Sequence, residues 1–353
     1  MLAWIAVGVR ANRLLLSAFA LIALVTLVAC SDDAEVTPTT TASVTRTTAT
    51  PDATETTVTS APISLMNCGY EVVLTAPPQR AVSMNQGATE IMLALGLEDR
   101  MVGTAYLDDA VHPDYAEAYA SVPVLSDEYP SREVLLGEEP DFVYGSYSSS
   151  FGDEAAGSRE SLAELGIGSY VSGAACADRS LRPEQVTFET VFAEIMDIGQ
   201  IFGVEDRAEA LVSDLQAQLG EASSAATVAE GMTVAWYDGG TEAPMMGVCC
   251  GAPGMVIDAL GGTNAFEDVA GSWVEVSWEE FVAADPDFIV LVDASWDLAA
   301  DKQAFLAQHP ATSTMAAVQG ERYGSVPFSA STPGIRNVSA VIDLAAALRA
   351  LSD

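Results

Sequence analysis

The side chains of this sequence that could do chemistry are few: five cysteines, two histidines, a scatter of aromatics and very few cations. Cys249 and Cys250 are adjacent, inside Gly247-Val248-Cys249-Cys250-Gly251-Ala252-Pro253. As a free dithiol in a glycine-rich loop they would suit a soft metal ion; oxidised, they close a vicinal ring. With Cys68 and Cys176 they form a set of four cysteines open to three connectivities, one of which ties Cys68 to Cys176. His112 and His309 each directly precede a proline. That turn-like context positions an imidazole poorly for base catalysis, and two histidines cannot build a multi-histidine zinc site. Neither a nucleophile elbow nor a phosphate loop occurs. The residues therefore point to a binding protein with no resident cofactor or metal, and not to an enzyme.

Binding chemistry gathers at the carboxyl ends of strands in α/β architecture. On that rule the first half offers Asn85 and Gln86 after one strand, Tyr106 after the next, Tyr129, and Tyr144, Ser146 and Tyr147 around a third. The second half offers Trp236 and Tyr237, the Met245 to Pro253 loop, Trp273, Trp296 and the segment from Phe328 to Arg336. Aromatic surface with few charges suits a bulky, partly apolar ligand such as a chelate or a corrin ring. Arg336 is singled out by the scarcity of basic residues. It either pairs an anionic group of the ligand or opens the final helix (Asn337 to Leu351) as a structural ion pair.

The elements that must hold these residues are legible as short β-branched runs alternating with amphipathic stretches, the pattern of an α/β fold. Arg80 to Met84, Met101 to Thr104, Asp141 to Tyr144 and Ile167 to Val171 read as strands, and Thr89 to Leu97 as a helix ended by Gly96. An internal echo is more informative. Glu133, six residues, then Pro140-Asp141-Phe142-Val143 recurs as Glu279, six residues, then Pro286-Asp287-Phe288-Ile289. Ahead of each copy, Ala94-Leu95-Gly96 recurs as Ala259-Leu260-Gly261. Two similar α/β lobes explain this order, with a first lobe over 62–182 and a second over 223–353. Between them, over 183–222, apolar positions from Phe188 to Phe202 and from Ala208 to Leu219 keep helical spacing. This is one long rigid helix or two stacked ones, about 50 Å long if continuous.

Charge and the N-terminus bound the setting. Fifty acidic residues against 14 basic ones give a formal charge of −36, which repels a phosphate backbone and excludes nucleic acid as a partner. Lys302 is the only lysine, so the surface is carboxylate-rich. Half the residues are hydrophobic, enough for a real core. Arg10 and Arg13 precede an apolar run from Leu14 to Ala29 that ends Leu27-Val28-Ala29-Cys30. This reads as a lipoprotein signal peptide over 1–29, with Cys30 the acylated residue of a lipobox. The apolar stretch Met1 to Val9 ahead of the arginines places the true translation start downstream of Met1. From Ser31 to Ser60, twelve of 30 residues are threonine, a composition with nothing to bury. Residues 30–61 are thus expected to be a disordered tether, roughly 30 Å in root-mean-square span, holding the body off a membrane.

Arg80-Ala81-Val82-Ser83 to Ala88-Thr89-Glu90, followed by Leu93-Ala94-Leu95-Gly96 to Asp99-Arg100-Met101-Val102-Gly103, resembles the opening of class III substrate-binding proteins. These serve ABC importers of ferric siderophores, haem and cobalamin. Val276-Ser277-Trp278-Glu279 to Asp285-Pro286-Asp287 and the segment from Val318 to Pro327 are similar to the family's second lobe. The resemblance spans roughly Ile63 to Leu351 and implies two lobes joined by a rigid helix, with the ligand held between them. It also implies that one glutamate per lobe, here Glu133 and Glu279, pairs with arginines on a dimeric permease, and Glu280 sits close enough to substitute. The expected protein is a monomeric, lipid-anchored, extracytoplasmic carrier of a ferric-siderophore-type chelate. Cobalamin and a deazaflavin-cofactor precursor are the other cargoes considered, and a thiol-based metal-handling protein using Cys249 and Cys250 is the alternative class. The adjacent cysteine pair is not part of the common family pattern.

Overall fold

Strands buried on both faces carry no clean alternation of polar and apolar residues, and the computed structural model, which describes residues 62–224 and 229–351, contains several of them. The signal peptide, Cys30 and the tether fall outside the described residues. After an antiparallel hairpin of β1 (Ile63–Asn67) and β2 (Tyr70–Leu74) come β3 (Ala81–Met84), β4 (Met101–Ala105), β5 (Val124–Ser126), β6 (Phe142–Gly145) and β7 (Gly168–Val171). The last five form one all-parallel sheet in the order β5-β4-β3-β6-β7. Every residue of β3 and β6 is buried. The one hydroxyl inside β3, Ser83, is satisfied by Thr89 and Thr104 at 2.8 and 3.0 Å, as a buried polar group must be. Helices α1 (Gln86–Ala94), α2 (Ala116–Tyr119), α3 (Arg132–Gly137) and α4 (Arg159–Ala163) complete this lobe.

Of the two forms open to the connecting segment, the molecule has the two-helix one. α5 (Phe188–Phe202) begins with a capping box of Thr187 and Thr190 and ends at Gly203, whose left-handed φ of 65° stops the helix. α6 (Glu205–Ser224) follows and packs back on α5. A methyl group on Gly199 would come within 2.4 Å of the Ala208 side chain, so glycine is what permits that close approach. At its start α6 is fastened to the first lobe, where Arg207 donates to the carbonyls of Leu95 and Gly96 at 3.0 and 2.9 Å.

The second lobe carries β8 (Thr233–Gly239), β9 (Met245–Gly247), β10 (Thr263–Asn264), β11 (Trp273–Glu275), β12 (Phe288–Asp293) and β13 (Tyr323–Pro327) in one six-stranded sheet. β8, β10, β12 and β13 run parallel, while β9 and β11 add an antiparallel edge. Its helices are α7 (Ala252–Ala259), α8 (Trp278–Ala284), α9 (Ala299–Gln308), α10 (Ala316–Gln319) and α11 (Arg336–Ala350). None of the described helices is long and apolar enough to cross a membrane.

The sequence echo has a structural meaning. In both copies the aspartate after the proline accepts backbone N–H groups at the start of the lobe's central strand. Asp141 takes those of Gln79 and Arg80 at 2.7 and 2.9 Å, and Asp287 takes that of Thr233 at 2.9 Å. These donors lie just before β3 and at the first residue of β8, where the carboxylate satisfies backbone N–H groups at the strand's entry. Each copy also begins with a serine-capped helix, Ser131 for α3 and Ser277 for α8. The repeated Ala-Leu-Gly closes α1 and α7, with Gly96 and Gly261 both left-handed.

Candidate functional site

Two seams join the lobes, and a cavity lies between them. At one seam Arg336, at the start of α11, grips Glu90 of α1. Its Nε donates to Glu90 Oε2 at 2.8 Å, and its Nη2 donates to Glu90 Oε1 and, at 2.6 Å, to the Ala110 carbonyl. Beside it the Ser329 N–H donates to Asp109 Oδ2 at 2.6 Å, and Tyr147 hydrogen-bonds Thr332. At the other seam the Val186 N–H donates to the Cys250 carbonyl at 3.0 Å, and Gln185 Nε2 to Asp258 at 3.0 Å. The cleft between encloses about 320 Å³. The first lobe lines it with Ser146 to Ser149 after β6 and with Ser172, Ala174 and Ala175 after β7. Arg182 and Val186 come from the connection, and Ala252, Ser272, Trp273 and Ser331 to Pro333 from the second lobe. These are strand ends and helix starts, the places where α/β sheets leave polar groups free.

Of the expected site residues, Ser146, Tyr147 and Trp273 line this cavity, with Ala252 from the Met245 to Pro253 loop and Ser331 to Pro333 from the Phe328 to Arg336 segment. Burial pushes the Tyr147 phenol well above its ordinary range, so it meets a ligand as a neutral donor or acceptor. Four others form a supporting layer at the first seam. Asn85, with a left-handed φ of 70°, accepts from Tyr129 Oη and Ser150 Oγ at 3.1 and 3.0 Å. Gln86 donates to Glu90 at 2.7 Å and accepts from the Asp109 N–H at 3.2 Å. Tyr106 packs edge-on against Tyr129 with ring centres 4.7 Å apart. Nearby Asp108, half-buried, has its carboxyl pushed up to about 6 by burial and by Asp109.

The remaining aromatics are placed elsewhere. Tyr144 is fully buried inside β6, where its hydroxyl donates to Glu194. Trp236 and Tyr237 are buried inside β8; the indole N–H reaches Ser331 at 3.4 Å, and the phenol donates to the Gly240 carbonyl at 2.9 Å. Trp296 is 61% exposed and meets Phe328 edge-on at 5.2 Å, away from the cavity lining. Arg336 is engaged with Glu90.

Several lining residues were missing from the sequence-derived set, Arg182 and Ser172 among them. Arg182 presents a guanidinium whose Nε is held by the Cys176 carbonyl at 2.6 Å. Ser172 donates to Glu194 at 2.6 Å, and this buried carboxyl, itself outside the lining, has Tyr144 as its other donor. Burial pushes Glu194 up to about 6 against the opposing pull of those two hydroxyls. The scarcity of basic residues that draws attention to Arg336 applies equally to Arg182 and was the signal available for it.

Cys68 is bonded to Cys176, with Cα atoms 5.3 Å apart, and Cys249 is bonded to Cys250. With both sulfurs of the adjacent pair joined, no thiolate is left to ligate a metal there. Among the described residues no cluster of three or more histidine, cysteine or carboxylate side chains could hold a metal ion. A second cavity of about 310 Å³ lies wholly within the first lobe, beside Tyr70, Phe151 and Arg159. Its arginine is engaged by Ser169 and the Asn67 carbonyl, and the second lobe contributes nothing to it. Glu133 and Glu279 line neither cavity and are exposed in the first turns of α3 and α8, at equivalent places in the two lobes. Glu280 is tied into its own capping box with Ser277 at 2.8 Å.

Comparison with known proteins agrees with this architecture. The sequence profile of the periplasmic binding proteins matches residues 82–324, more than half of the chain. An uncharacterized ABC transporter substrate-binding lipoprotein of Bacillus subtilis is 25% identical over 236 residues, covering 66% of this chain and 69% of that one. A periplasmic binding protein of Veillonella parvula superposes with a TM-score of 0.72 at 28% identity, covering 82% of this chain and 98% of that one. An ABC-type Fe³⁺-hydroxamate transport protein of Saccharomonospora viridis gives a TM-score of 0.67 at 25% identity, with coverage of 81% and 98%.

Proposed function

This chain belongs to the periplasmic binding protein family, whose members are extracytoplasmic substrate-binding components of ABC importers, and from that membership we propose that it captures a ferric-siderophore-type chelate and passes it to an ABC permease. One observation carries the choice of cargo. The cleft lining has hydroxyls, one guanidinium and the aromatic rings of Tyr147 and Trp273, but no histidine, free cysteine or carboxylate. A bare metal ion is held by carboxylate, imidazole or thiolate donors, none of which is among the residues lining the cleft; a chelate brings its own donors and needs shape, apolar contact and hydrogen bonds. The similarity to a protein described as part of an Fe³⁺-hydroxamate transport system supports the same class.

Delivery to the permease runs through Glu133 and Glu279. Two exposed carboxylates at equivalent positions on two lobes match a two-fold partner, as paired docking on a dimeric permease requires. In this reading Cys30 carries the lipid and the threonine-rich segment is the tether. The test is native mass spectrometry with absorption spectra on protein purified from its own host. A co-purifying mass with the charge-transfer band of a ferric chelate is the expected result. A corrinoid spectrum would replace the cargo, and failure of ferric chelates to quench Trp273 fluorescence on titration would remove the proposal.

A further inference from the structure

The geometry points to a cleft that selects chelates of net negative charge and seats their anionic face on Arg182; this rests on the chelate-carrying function proposed above. The first observation is what the cleft omits. The chain has 50 carboxylate side chains against 14 cationic ones, yet among the described residues no carboxylate lines the cavity. The second is the state of Arg182. Among the described residues it makes no ion pair, and its side chain's sole hydrogen bond runs from Nε to the Cys176 carbonyl. Both terminal nitrogens are therefore without an acceptor among the described residues at the wall of the cavity. The contrast is Arg336, whose guanidinium is filled by Glu90 and the Ala110 carbonyl.

The anchor of Arg182 is itself fixed, because Cys176 is disulfide-bonded to Cys68. A guanidinium held at one nitrogen keeps its planar fork in a set direction, which suits two oxygens of an anionic group better than it suits a neutral one. The same cavity is lined by the hydroxyls of Ser148, Ser149, Ser272 and Tyr147, which can donate to oxygens of a ligand seated there. The overall charge of −36 opposes an anion, but beyond about 8 Å at physiological salt that field is screened, whereas a contact with Arg182 is not. A positive contact inside a negative protein therefore discriminates at short range.

The experiment compares three ferric complexes by fluorescence titration: a triply anionic tris-catecholate, a neutral tris-hydroxamate and a cationic linear tris-hydroxamate. Wild-type protein is expected to bind the anionic complex most tightly and the cationic one least. Arg182→Gln should weaken the anionic complex by about 10- to 100-fold, the range of one charged hydrogen-bonding contact, and change the neutral one by less than about threefold. Arg182→Lys should recover part of the anionic preference, and it serves also if the glutamine variant fails to fold. Equal wild-type affinities for the three complexes, or a preference that persists in Arg182→Gln, would overturn the inference and leave the chelate function standing. Binding of none of the three would instead remove the function on which it rests.

Discussion

Replacing Arg336 by methionine is the sharpest test of how the lobes are joined. The Arg336 side chain is 10% exposed and Glu90 1%, so the pair is out of water. Removing one partner of a buried ion pair costs about 3–5 kcal/mol, because the other charge stays behind without compensation. Here Glu90 would keep two donors, Gln86 Nε2 at 2.7 Å and the His112 N–H at 3.0 Å, which places the expected loss near the lower bound, about 3 kcal/mol. Glu90→Gln should cost less, about 1–2 kcal/mol, since Arg336 retains the Ala110 carbonyl and some access to water. The double variant should then be less damaging than the sum of the two, with a coupling energy above about 1 kcal/mol. Urea denaturation at pH 7 reads all three, provided the slope with denaturant stays constant so that midpoints can be compared. A parallel drop of roughly 6–12 °C in Tm is expected for Arg336→Met. A loss below 1 kcal/mol, or strict additivity in the double variant, would refute the reasoning that this pair is a stabilising clasp between lobes.

Charge reversal at both Glu133 and Glu279 should abolish uptake in cells while leaving the ligand titration of the purified protein unchanged; unchanged uptake would remove the docking role. Replacing Cys68 and Cys176 by alanine should lower stability by about 2–5 kcal/mol in denaturant, because the bond closes a loop 108 residues apart in sequence. Glu194 gives a pH dependence whose sign is unusual for a carboxylate. Its folded value is raised from an ordinary 4.5 to about 6, so its contribution to stability is fully present below 4.5 and is lost as pH rises through 6. The loss amounts to about 2 kcal/mol. Glu194→Gln should lack that decline, so the stability of wild type relative to the variant must fall between pH 4 and 7; a constant difference would contradict the burial argument.

The repeated design was legible because its signals are local. A proline, an aspartate three or four residues from a helix end, and a glycine stop each act through backbone geometry, and both copies do the same work at Asp141 and Asp287. The strand-end rule pointed to Ser146 and Tyr147, which follow β6 and line the cleft, for the same reason. It reached too far at Tyr144 and Trp236, which lie within β6 and β8 and not beyond them. Helices cover both faces of those sheets, so an aromatic anywhere along such a strand is enclosed. A structural ion pair was one of the two readings open to Arg336, but its partner was not legible, nor was the setting of Arg182, because each depends on the tertiary fold. Glu90 is 246 residues from Arg336, and nothing in local pattern links them. Arg182 is left free by what is missing around it, and an absent carboxylate leaves no mark in a sequence where carboxylates are everywhere.

The two seams together fix what ligand binding can change. One is the Glu90–Arg336 clasp with Asp109 on the Ser329 N–H; the other is the backbone bond from Val186 to Cys250 at the root of α5. They lie on either side of the cavity, and the α5–α6 pair is itself fastened to α1 through Arg207. A cleft bounded this way keeps Tyr147, Arg182 and Trp273 near their final positions before a ligand arrives, so little ordering free energy is charged against affinity. A protein built on a free hinge would instead depend on closure to assemble its site. It follows that loosening the clasp should weaken ligand binding even though neither Glu90 nor Arg336 lines the cavity. In Glu90→Gln, which keeps the fold, affinity should fall severalfold while the preference among chelates of different charge stays as in wild type, since Arg182 is untouched. An affinity that does not move when the clasp is weakened would mean that the cleft is held by the connecting helices alone.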